Sequence, residues 1–192
     1  LIKQPGLITP SYPERIMQVD FNTKLNSGCI SRQVGAVVTD SSFSIKGVGW
    51  NEVPHGQTPC SSRDIRDFET ATEKDNKGFT PFELSKDSET YKDSKTFQQK
   101  LIDDIDKIGD YESKLKGRPC SFCFKSHHNA YEAKANQVHT RALHAEENAM
   151  LQISKYGGQP LKGGNLFSTA SPCELCAKKA YQLGIKNIFY ID

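Results

Sequence analysis

The amino-acid sequence predicts an α/β fold in which helices cover both faces of a mixed sheet. Near the start of the chain, two β-branched, apolar segments flank a short polar turn, which is typical of a β-hairpin. Near its end, strand-like segments alternate with helix-like segments, and strands joined through helices run parallel to each other. An antiparallel hairpin and a parallel pair together make a mixed sheet.

The first 60 residues predict one helix followed by the hairpin. Residues 13–26 have helical spacing and end in a Ser-Gly pair. The apolar side chains near one face of this helix are Ile16, Met17 and Phe21. Residues 34–39 form a continuous apolar, β-branched run that is typical of a buried strand, and residues 44–50 predict its hairpin partner.

The segment of residues 61–135 is rich in Lys, Asp, Glu, Ser and Thr, with few large apolar side chains. We expect a solvated insertion, disordered in part, within a single domain that spans residues 1–192. Residues 96–115 predict one amphipathic helix, because their apolar side chains recur at helical spacing. These side chains are Phe97, Leu101, Ile105 and Ile108.

After the insertion, the sequence predicts two helices and two strands. A helix over residues 143–156 ends at a pair of glycines, and residues 165–168 form a short strand. Residues 171–174, Ser-Pro-Cys-Glu, open the next helix as a capping box, with the serine as its N-cap. That helix ends at Gly184, and residues 185–191 form the last strand.

Composition excludes some classes of protein. The chain has 192 residues, of which 36% are hydrophobic, and a formal net charge of +2. It has no run of about 18 apolar residues, so it predicts no membrane-spanning helix. The charge is too small to indicate nucleic-acid binding by itself. The N-terminus lacks the charged start and apolar core of a secretory signal, and its first residue, Leu1, is compatible with a fragment of a longer chain.

Six cysteines raise a choice between disulfides and metal binding: Cys29, Cys60, Cys120, Cys123, Cys173 and Cys176. An even number would suit disulfides in a secreted protein. Two Cys-x-x-Cys pairs favour metal binding in a cytosolic chain. We therefore expect a cytoplasmic, zinc-binding protein.

The strongest chemical signal combines two short motifs. His144-Ala-Glu146 is followed, 26 residues later, by Pro172-Cys-Glu-Leu-Cys176. Alone, His-x-Glu is common, and Cys-x-x-Cys also suits a redox pair or half of a structural zinc site. Together they supply three zinc ligands, His144, Cys173 and Cys176, and leave one tetrahedral position open for water, as in catalytic zinc sites.

Glu146 is placed to move protons in such a site. In the first turn of a helix it can reach the same cavity as the ligand two residues before it. We expect it to take a proton from the attacking water and pass it to the base nitrogen and the leaving ammonia. The order of the motifs matches the signature of zinc deaminases that act at cytosine C4 or adenine C6.

Four segments carry a family resemblance: residues 31–37 (SRQVGAV), 49–54 (GWNEVP), 144–149 (HAEENA) and 171–176 (SPCELC). They are similar to the deoxycytidylate deaminase branch of the cytidine deaminase superfamily. The resemblance implies a three-layer α/β/α fold around a five-stranded sheet, whose fifth strand would follow Asp192. It also implies an oligomer.

The resemblance assigns roles to residues near the substrate. It implies that Asn51 binds the sugar and, by position, that Arg32 is a phosphate ligand. The alternatives are an ordinary turn residue for Asn51 and a surface residue for Arg32. The pocket beside the base would be lined by Ala145, Thr169 and Ser171.

A second zinc site follows from the same resemblance. In some deoxycytidylate deaminases, a Cys before the first strand and a Cys nine residues after the sugar-binding Asn help to hold a structural zinc. Cys29 and Cys60 occupy those positions here. The family's other ligands precede the catalytic His, where this chain has Lys134 and Ala142, which cannot bind zinc.

Cys120 and Cys123 would fill the two vacancies. The hypothesis is a closed site of four thiolates that anchors the polar insertion to the rest of the domain. Competing ligands are His127, His128 and His139. The alternative is four unrelated free cysteines.

The leading function is hydrolysis of a deoxycytidine nucleotide, dCMP or dCTP, to the deoxyuridine nucleotide and ammonia. One alternative is a deaminase that edits bases in RNA or single-stranded DNA, and the other is a non-catalytic zinc-binding regulatory domain. Residues 51–54 (NEVP) also resemble the deaminase domain of bacterial antiphage proteins that deplete deoxycytidine nucleotides. That resemblance implies a kinase-like domain or regulator on the N-terminal side.

Overall fold

The computed structural model describes residues 8–87, 90–155, 157–158 and 160–191. Its elements are α1 (Tyr12–Thr23), β1 (Gly35–Thr39), β2 (Ile45–Trp50), α2 (Pro81–Leu84), α3 (Phe97–Ile108), α4 (Tyr111–Leu115), α5 (Phe124–Glu132), α6 (Ala145–Lys155), β3 (Asn165–Ser168), α7 (Glu174–Gln182) and β4 (Asn187–Tyr190). In these ranges no helix is both long enough and apolar enough to cross a bilayer. The expectations about the extreme N-terminus and the predicted helix end at Tyr156 lie outside the described residues.

The chain forms two compact units. The sheet unit comprises the described residues of 1–27, 32–52 and 143–192, and the insert unit comprises 28–31 and the described residues of 53–142. The insert unit is therefore wider than the segment of residues 61–135 that composition marks as an insertion. That one domain spans the whole chain stays a prediction.

The sheet unit contains a mixed sheet in the order β2-β1-β3-β4. Strand β1 is antiparallel to both β2 and β3, and β3 is parallel to β4. The hairpin and the parallel pair were both predicted. The described residues contribute four strands to this sheet.

Strand β1 is buried on both faces because helices pack on each side of it. Its side chains alternate between the faces. Val37 packs with Ile16 of α1 and with Phe167, whereas Ala36 and Val38 pack with the apolar side of α6. The predicted α/β layering is confirmed.

A close approach of α6 to β2 fixes the helix that carries the His-x-Glu motif. Gly49 faces this helix, and a Cβ atom there would lie 2.3 Å from the Ala149 nitrogen and 2.6 Å from the Ala145 carbonyl oxygen. No side chain fits in that space. The glycine in β2 thus allows the start of α6 to lie directly against the strand.

The structure differs from the sequence-based predictions in α1, at the start of α6 and at the start of α7. Phe21 is 49% exposed, with the Lys24 ammonium over its ring, and Asp20 is buried in α1 instead. Helix α6 begins at Ala145 rather than at the predicted residue 143, because Leu143 forms a β-bridge with Glu52.

The predicted capping box at Ser171 is also absent. The N-cap of α7 is Cys173, whose side chain makes no capping hydrogen bond. The chain stays extended through this residue, with φ −68° and ψ 163°. As a result, one sulfur lies at the very end of the helix rather than within its first turn.

The insert unit has a core of its own, which contradicts the expected solvated insertion with one helix. The described residues of this unit contain four α-helices, α2 to α5. Their core is formed by Ile65, Phe68, Phe79, Phe97, Leu101, Ile105 and Phe122. The predicted helix over residues 96–115 is divided at Gly109 into α3 and α4. The phenylalanines are far apart in a polar sequence, so they leave no periodic signal, although each buries a large apolar area.

An ion pair lies inside this aromatic core. The Nη1 atom of Arg63 donates to Oε1 of Glu83 at 2.8 Å, and both side chains are fully buried. The guanidinium carbon lies 4.4 Å from the centre of the Phe122 ring and 5.3 Å from that of Phe79. Such a pair is costly to break, because removal of one partner leaves an uncompensated buried charge.

Candidate active site

The imidazole of His144 is held at the start of α6. The β-bridge of the preceding residue sets the chain direction, with Leu143 donating to the Glu52 carbonyl oxygen at 2.9 Å. The Asn148 amide donates to the His144 carbonyl oxygen at 2.9 Å, and its side chain donates to the Trp50 carbonyl oxygen at 2.8 Å. The end of β2 therefore positions the first predicted zinc ligand.

Two cysteine sulfurs meet this imidazole. The Nδ1 atom of His144 lies 3.3 Å from Sγ of Cys173 and 3.5 Å from Sγ of Cys176. Tetrahedral zinc, with bonds of about 2.0–2.1 Å to nitrogen and 2.3 Å to sulfur, separates such ligands by about 3.5 Å. The three predicted ligands thus have the spacing and the N/S donor set that zinc requires.

The surroundings of the Cys176 sulfur favour a cation beside it. Burial raises the pKa of the Cys176 thiol, and the negative charge of Glu146 raises it further. Without a metal the sulfur would therefore keep its proton. A bound cation reverses this preference, and the N-terminal end of α7 adds a favourable dipole.

Glu146 is the predicted proton shuttle, and it lies in the first turn of α6 with 4% exposure. Burial raises the pKa of its carboxyl group, while His144 and hydrogen bonds with Cys176 and Ser168 oppose that rise. A raised pKa makes a carboxylate a stronger base, which suits a group that takes a proton from water. The residue therefore lies beside the ligands with a suitable chemical environment.

Two residues near Glu146 were missed in the sequence. Ser168, at the end of β3, is fully buried and contacts its carboxylate. Asp20 of α1 is also fully buried, and neither of its carboxylate oxygens has a hydrogen-bond partner in the part of the chain that the structure describes. Burial, reinforced by the charge of Glu146, raises the pKa of Asp20 to about 7. An acidic residue four positions after Ile16, on the apolar side of the helix, was the available signal.

The side chain of Asn51 is hydrogen-bonded to the backbone just before β1. Its Oδ1 atom accepts from the Val34 amide at 2.7 Å, and its Nδ2 atom donates to the Arg32 carbonyl oxygen at 2.7 Å. One Nδ2 hydrogen and one Oδ1 lone pair remain after these bonds. The side chain of Arg32 is exposed.

The other predicted substrate contacts lie around the same strand ends. Thr169 follows β3, and its hydroxyl accepts from the Gly35 amide at 3.0 Å. Ala145 is fully buried, whereas Ser171 is exposed. The structure brings these residues into the sheet unit with the three ligands, and their contacts with a substrate stay predictions.

The four remaining cysteines all lie in the insert unit. Backbone hydrogen bonds connect their segments, since Ser61 donates to the Gly28 carbonyl oxygen and Ile65 to that of Cys120. Even so, no three of these sulfurs lie within 4.8 Å of one another among the described residues. The Cys60 sulfur accepts instead from Arg141 at 3.5 Å. The four-thiolate zinc site stays a prediction.

Comparisons with known proteins agree with the motifs. The family model described as "Cytidine and deoxycytidylate deaminase zinc-binding region" matches residues 11–192. ComE operon protein 2 of Bacillus subtilis (strain 168) is 44% identical over 52 residues, which are 27% of each chain. The deoxycytidylate deaminase of Enterobacteria phage T2 is 34% identical over 68 residues, 35% of this chain and 34% of that one. The chain thus matches only about a third or less of the length of these relatives.

A solved structure supports the fold. The apo dCMP deaminase of cyanophage S-TIM5 aligns with a TM-score of 0.50 at 21% identity, covering 95% of this chain and 84% of that one. At this identity the likeness speaks for the fold alone. The family model, which matches nearly the whole sequence, confirms the predicted family: this chain belongs to the cytidine and deoxycytidylate deaminases with a zinc-binding region.

Proposed function

We propose that the protein is a zinc-dependent hydrolase that removes the 4-amino group of a deoxycytidine nucleotide, with the monophosphate as its first substrate. One observation carries the proposal. His144, Cys173 and Cys176 converge at zinc spacing beside the buried carboxyl group of Glu146. The choice of nucleotide is supported by relatives named deoxycytidylate deaminase in phages T2 and T4.

The proposed zinc would be held by His144, Cys173 and Cys176. Three protein ligands are the number found in catalytic zinc sites. When bound, the ion supplies a Lewis acid that activates water at neutral pH. All other steps can be assigned to side chains of the sheet unit.

Glu146 would manage the protons of the reaction. Its carboxylate accepts a proton from the attacking water while the water oxygen bonds to C4 of the cytosine ring. It delivers that proton to N3. The carboxylate then takes the proton of the new C4 hydroxyl and passes it to the 4-amino group, so that the C4–O bond becomes a carbonyl as the C4–N bond breaks and ammonia leaves. Water and the cytosine nucleotide thereby become the uracil nucleotide and ammonia, with Glu146 restored.

Substrate contacts are proposed at the ends of the strands. Asn51, already fixed by two backbone bonds, has one N–H and one lone pair left for the sugar. The exposed guanidinium of Arg32 would meet the phosphate. Ala145, Thr169 and Ser171 would line the pocket for the base.

We further propose a competing substrate, a biological role, an assembly and a structural metal for the protein. The triphosphate is the competing substrate, and nucleotide depletion in antiphage defence would be the biological role. We also propose a cytoplasmic homo-oligomer, with a kinase-like domain or regulator as partner. The four cysteines of the insert unit would hold a structural zinc.

The substrate test measures ammonia release from deoxycytidine, dCMP, dCTP, CMP and a cytosine-containing oligonucleotide, beside a Glu146→Ala control. Release from dCMP, lost in the control, supports the proposal, and release from dCTP alone would move the substrate to the triphosphate. Turnover of only the oligonucleotide would indicate base editing. No turnover of any of the five, with zinc bound, would favour a non-catalytic zinc domain.

The four-thiolate zinc has a separate test. Cys120→Ser combined with Cys123→Ser should lower the zinc content by one ion per chain, with ammonia release as the check on the catalytic site. An unchanged zinc content would end that part of the proposal.

A further inference from the structure

A second group of metal-binding side chains, which includes none of the six cysteines, lies in the insert unit. Helix α5 carries His128 and Glu132, which are four residues apart and therefore on one face. The chain turns at Ala133, in the left-handed conformation with φ 54° and ψ 41°, and then returns with His139. One ligand atom from each of the three residues lies within 4.8 Å of the other two.

The distances within this group fit a bridging ion better than direct hydrogen bonds. The Nε2 atom of His128 lies 3.8 Å from Oε1 of Glu132, and Nε2 of His139 lies 3.7 Å from Oε2 of the same carboxylate. Hydrogen bonds between these atoms would measure about 2.7–3.2 Å. Ligands around tetrahedral zinc are about 3.3 Å apart, so a contraction of about half an ångström would enclose the ion.

One oxygen of the Glu132 carboxylate lacks a hydrogen-bond partner among the described residues. Oε2 of Glu132 is buried and accepts no hydrogen bond in the described structure. The nearest ammonium group, Nζ of Lys134, lies 3.7 Å from the other oxygen. A buried carboxylate oxygen without a partner is costly, and a cation between it and two imidazoles would remove that cost.

A hydrogen bond to Tyr91 orients the imidazole of His128. The Nδ1 atom of His128 is hydrogen-bonded to the hydroxyl of Tyr91, and this leaves Nε2 on the side of Glu132. Histidines that bind metals generally have their second nitrogen held in this way. The rings of His128 and His139 stand nearly perpendicular, at 80°, with centres 3.8 Å apart.

We propose that His128, Glu132 and His139 bind a divalent transition metal, and specifically zinc. Two imidazoles and one carboxylate are a ligand set that zinc uses, with water in the fourth position. The ion would connect α5 to the segment that follows it. Because His128 also contacts Phe82, Phe97 and Phe124, metal binding there would stabilise the aromatic core of the insert unit.

The test counts zinc ions per chain by native mass spectrometry, after equilibration with zinc and removal of the excess. Glu132→Gln keeps the size of the side chain, and His139→Ala changes a partly exposed residue that the fold should tolerate. Each variant should bind one zinc fewer than the wild type. His55→Ala, at an exposed histidine of the same unit, is the matched control and should lose none.

A second measurement, the absorption spectrum of bound cobalt, tests the proposal if Glu132→Gln folds poorly. Cobalt replaces zinc in the wild-type protein and in His139→Ala, and the weak visible bands of the ion are recorded. A site without sulfur contributes visible bands but no thiolate-to-cobalt charge-transfer bands in the near ultraviolet, so this variant should lose only visible intensity.

Two results would overturn the proposal. The first is equal zinc content in the wild type, Glu132→Gln and His139→Ala, which would show that the group binds no metal. The second is unchanged visible cobalt bands in His139→Ala. Both outcomes are independent of deaminase activity.

Discussion

The sheet unit and the insert unit solve the problem of a stable core in different ways. In the sheet unit, every residue of β1 and β3 is buried, and apolar side chains of β1 pack with helices on both faces, so neighbours in sequence share a structural role. In the insert unit, single phenylalanines from distant positions meet around a buried ion pair. The comparison teaches that low apolar content does not by itself mean a solvated segment, because a few aromatic side chains can form a core.

The largest expected effect tests whether that aromatic core is real. Phe97 is fully buried in α3, and Phe97→Ala should lower the free energy of unfolding by about 4 kcal/mol. Phe21→Ala is the matched control, because Phe21 is 49% exposed, and it should change this free energy by less than about 0.5 kcal/mol. Denaturant unfolding measures both. Equal effects would mean that the insert unit has no such core.

The ion pair of the insert unit should give the next effect. Glu83→Gln leaves the Arg63 guanidinium without its countercharge inside an apolar core. We expect a loss of about 3 kcal/mol, at the low end for broken buried pairs, because the amide still accepts one hydrogen bond.

Amide hydrogen exchange would locate this loss. Exchange should become faster in the insert unit, and the amides of β1 should keep their protection. The double variant Arg63→Met with Glu83→Leu should be less harmful, since it leaves no unpaired charge. A double variant at least as unstable as Glu83→Gln would contradict this account.

In the sheet unit, the buried carboxyl group of Asp20 predicts a pH dependence. Its pKa is raised from 3.8 to about 7 in the folded protein, chiefly by burial. Between about pH 4 and 7 the folded state therefore binds more protons than the unfolded state, and the free energy of unfolding falls as the pH rises. The slope contributed is at most about 1.4 kcal/mol per pH unit, and Asp20→Asn should remove it.

Asp40→Asn is the control with the opposite sign. A hydrogen bond from the backbone amide of Ser44 lowers the pKa of the partly exposed Asp40 carboxyl group. Its ionised form therefore favours folding slightly as the pH rises, and the variant should lose that small gain. Parallel unfolding curves for Asp20→Asn and the wild type from pH 4 to 7 would refute the burial argument.

The smallest expected effect concerns the end of β3. Thr169→Val keeps the shape of the side chain but removes the hydroxyl that accepts from the Gly35 amide. The lost bond should cost about 1 kcal/mol. A change in KM for dCMP of the same variant would indicate that Thr169 also touches the substrate, and stability equal to that of the wild type would show that the hydrogen bond contributes nothing.

Much of the sheet unit could be predicted because its signals are local. A β-branched run predicted β1, and two motifs at the starts of helices predicted His144, Glu146, Cys173 and Cys176. Asp20 was missed, because burial of a carboxyl group depends on what packs over it. In the insert unit, Arg63 and Glu83 lie 20 residues apart in sequence, and only the tertiary fold brings them together. Local patterns in the sequence therefore give no sign of this pair.

We propose that Glu146 moves the protons of a deamination at a site built by the sheet unit. The most direct test compares ammonia release from dCMP by the wild type, Glu146→Gln and Glu147→Gln, with zinc content measured for each. Glu147 is the next residue in α6 and pairs with Lys179 at the surface, so it is a matched control. We predict a loss of at least about 100-fold in Glu146→Gln, with zinc retained, and near wild-type rates in Glu147→Gln. Wild-type turnover by a zinc-loaded Glu146→Gln protein would contradict the account.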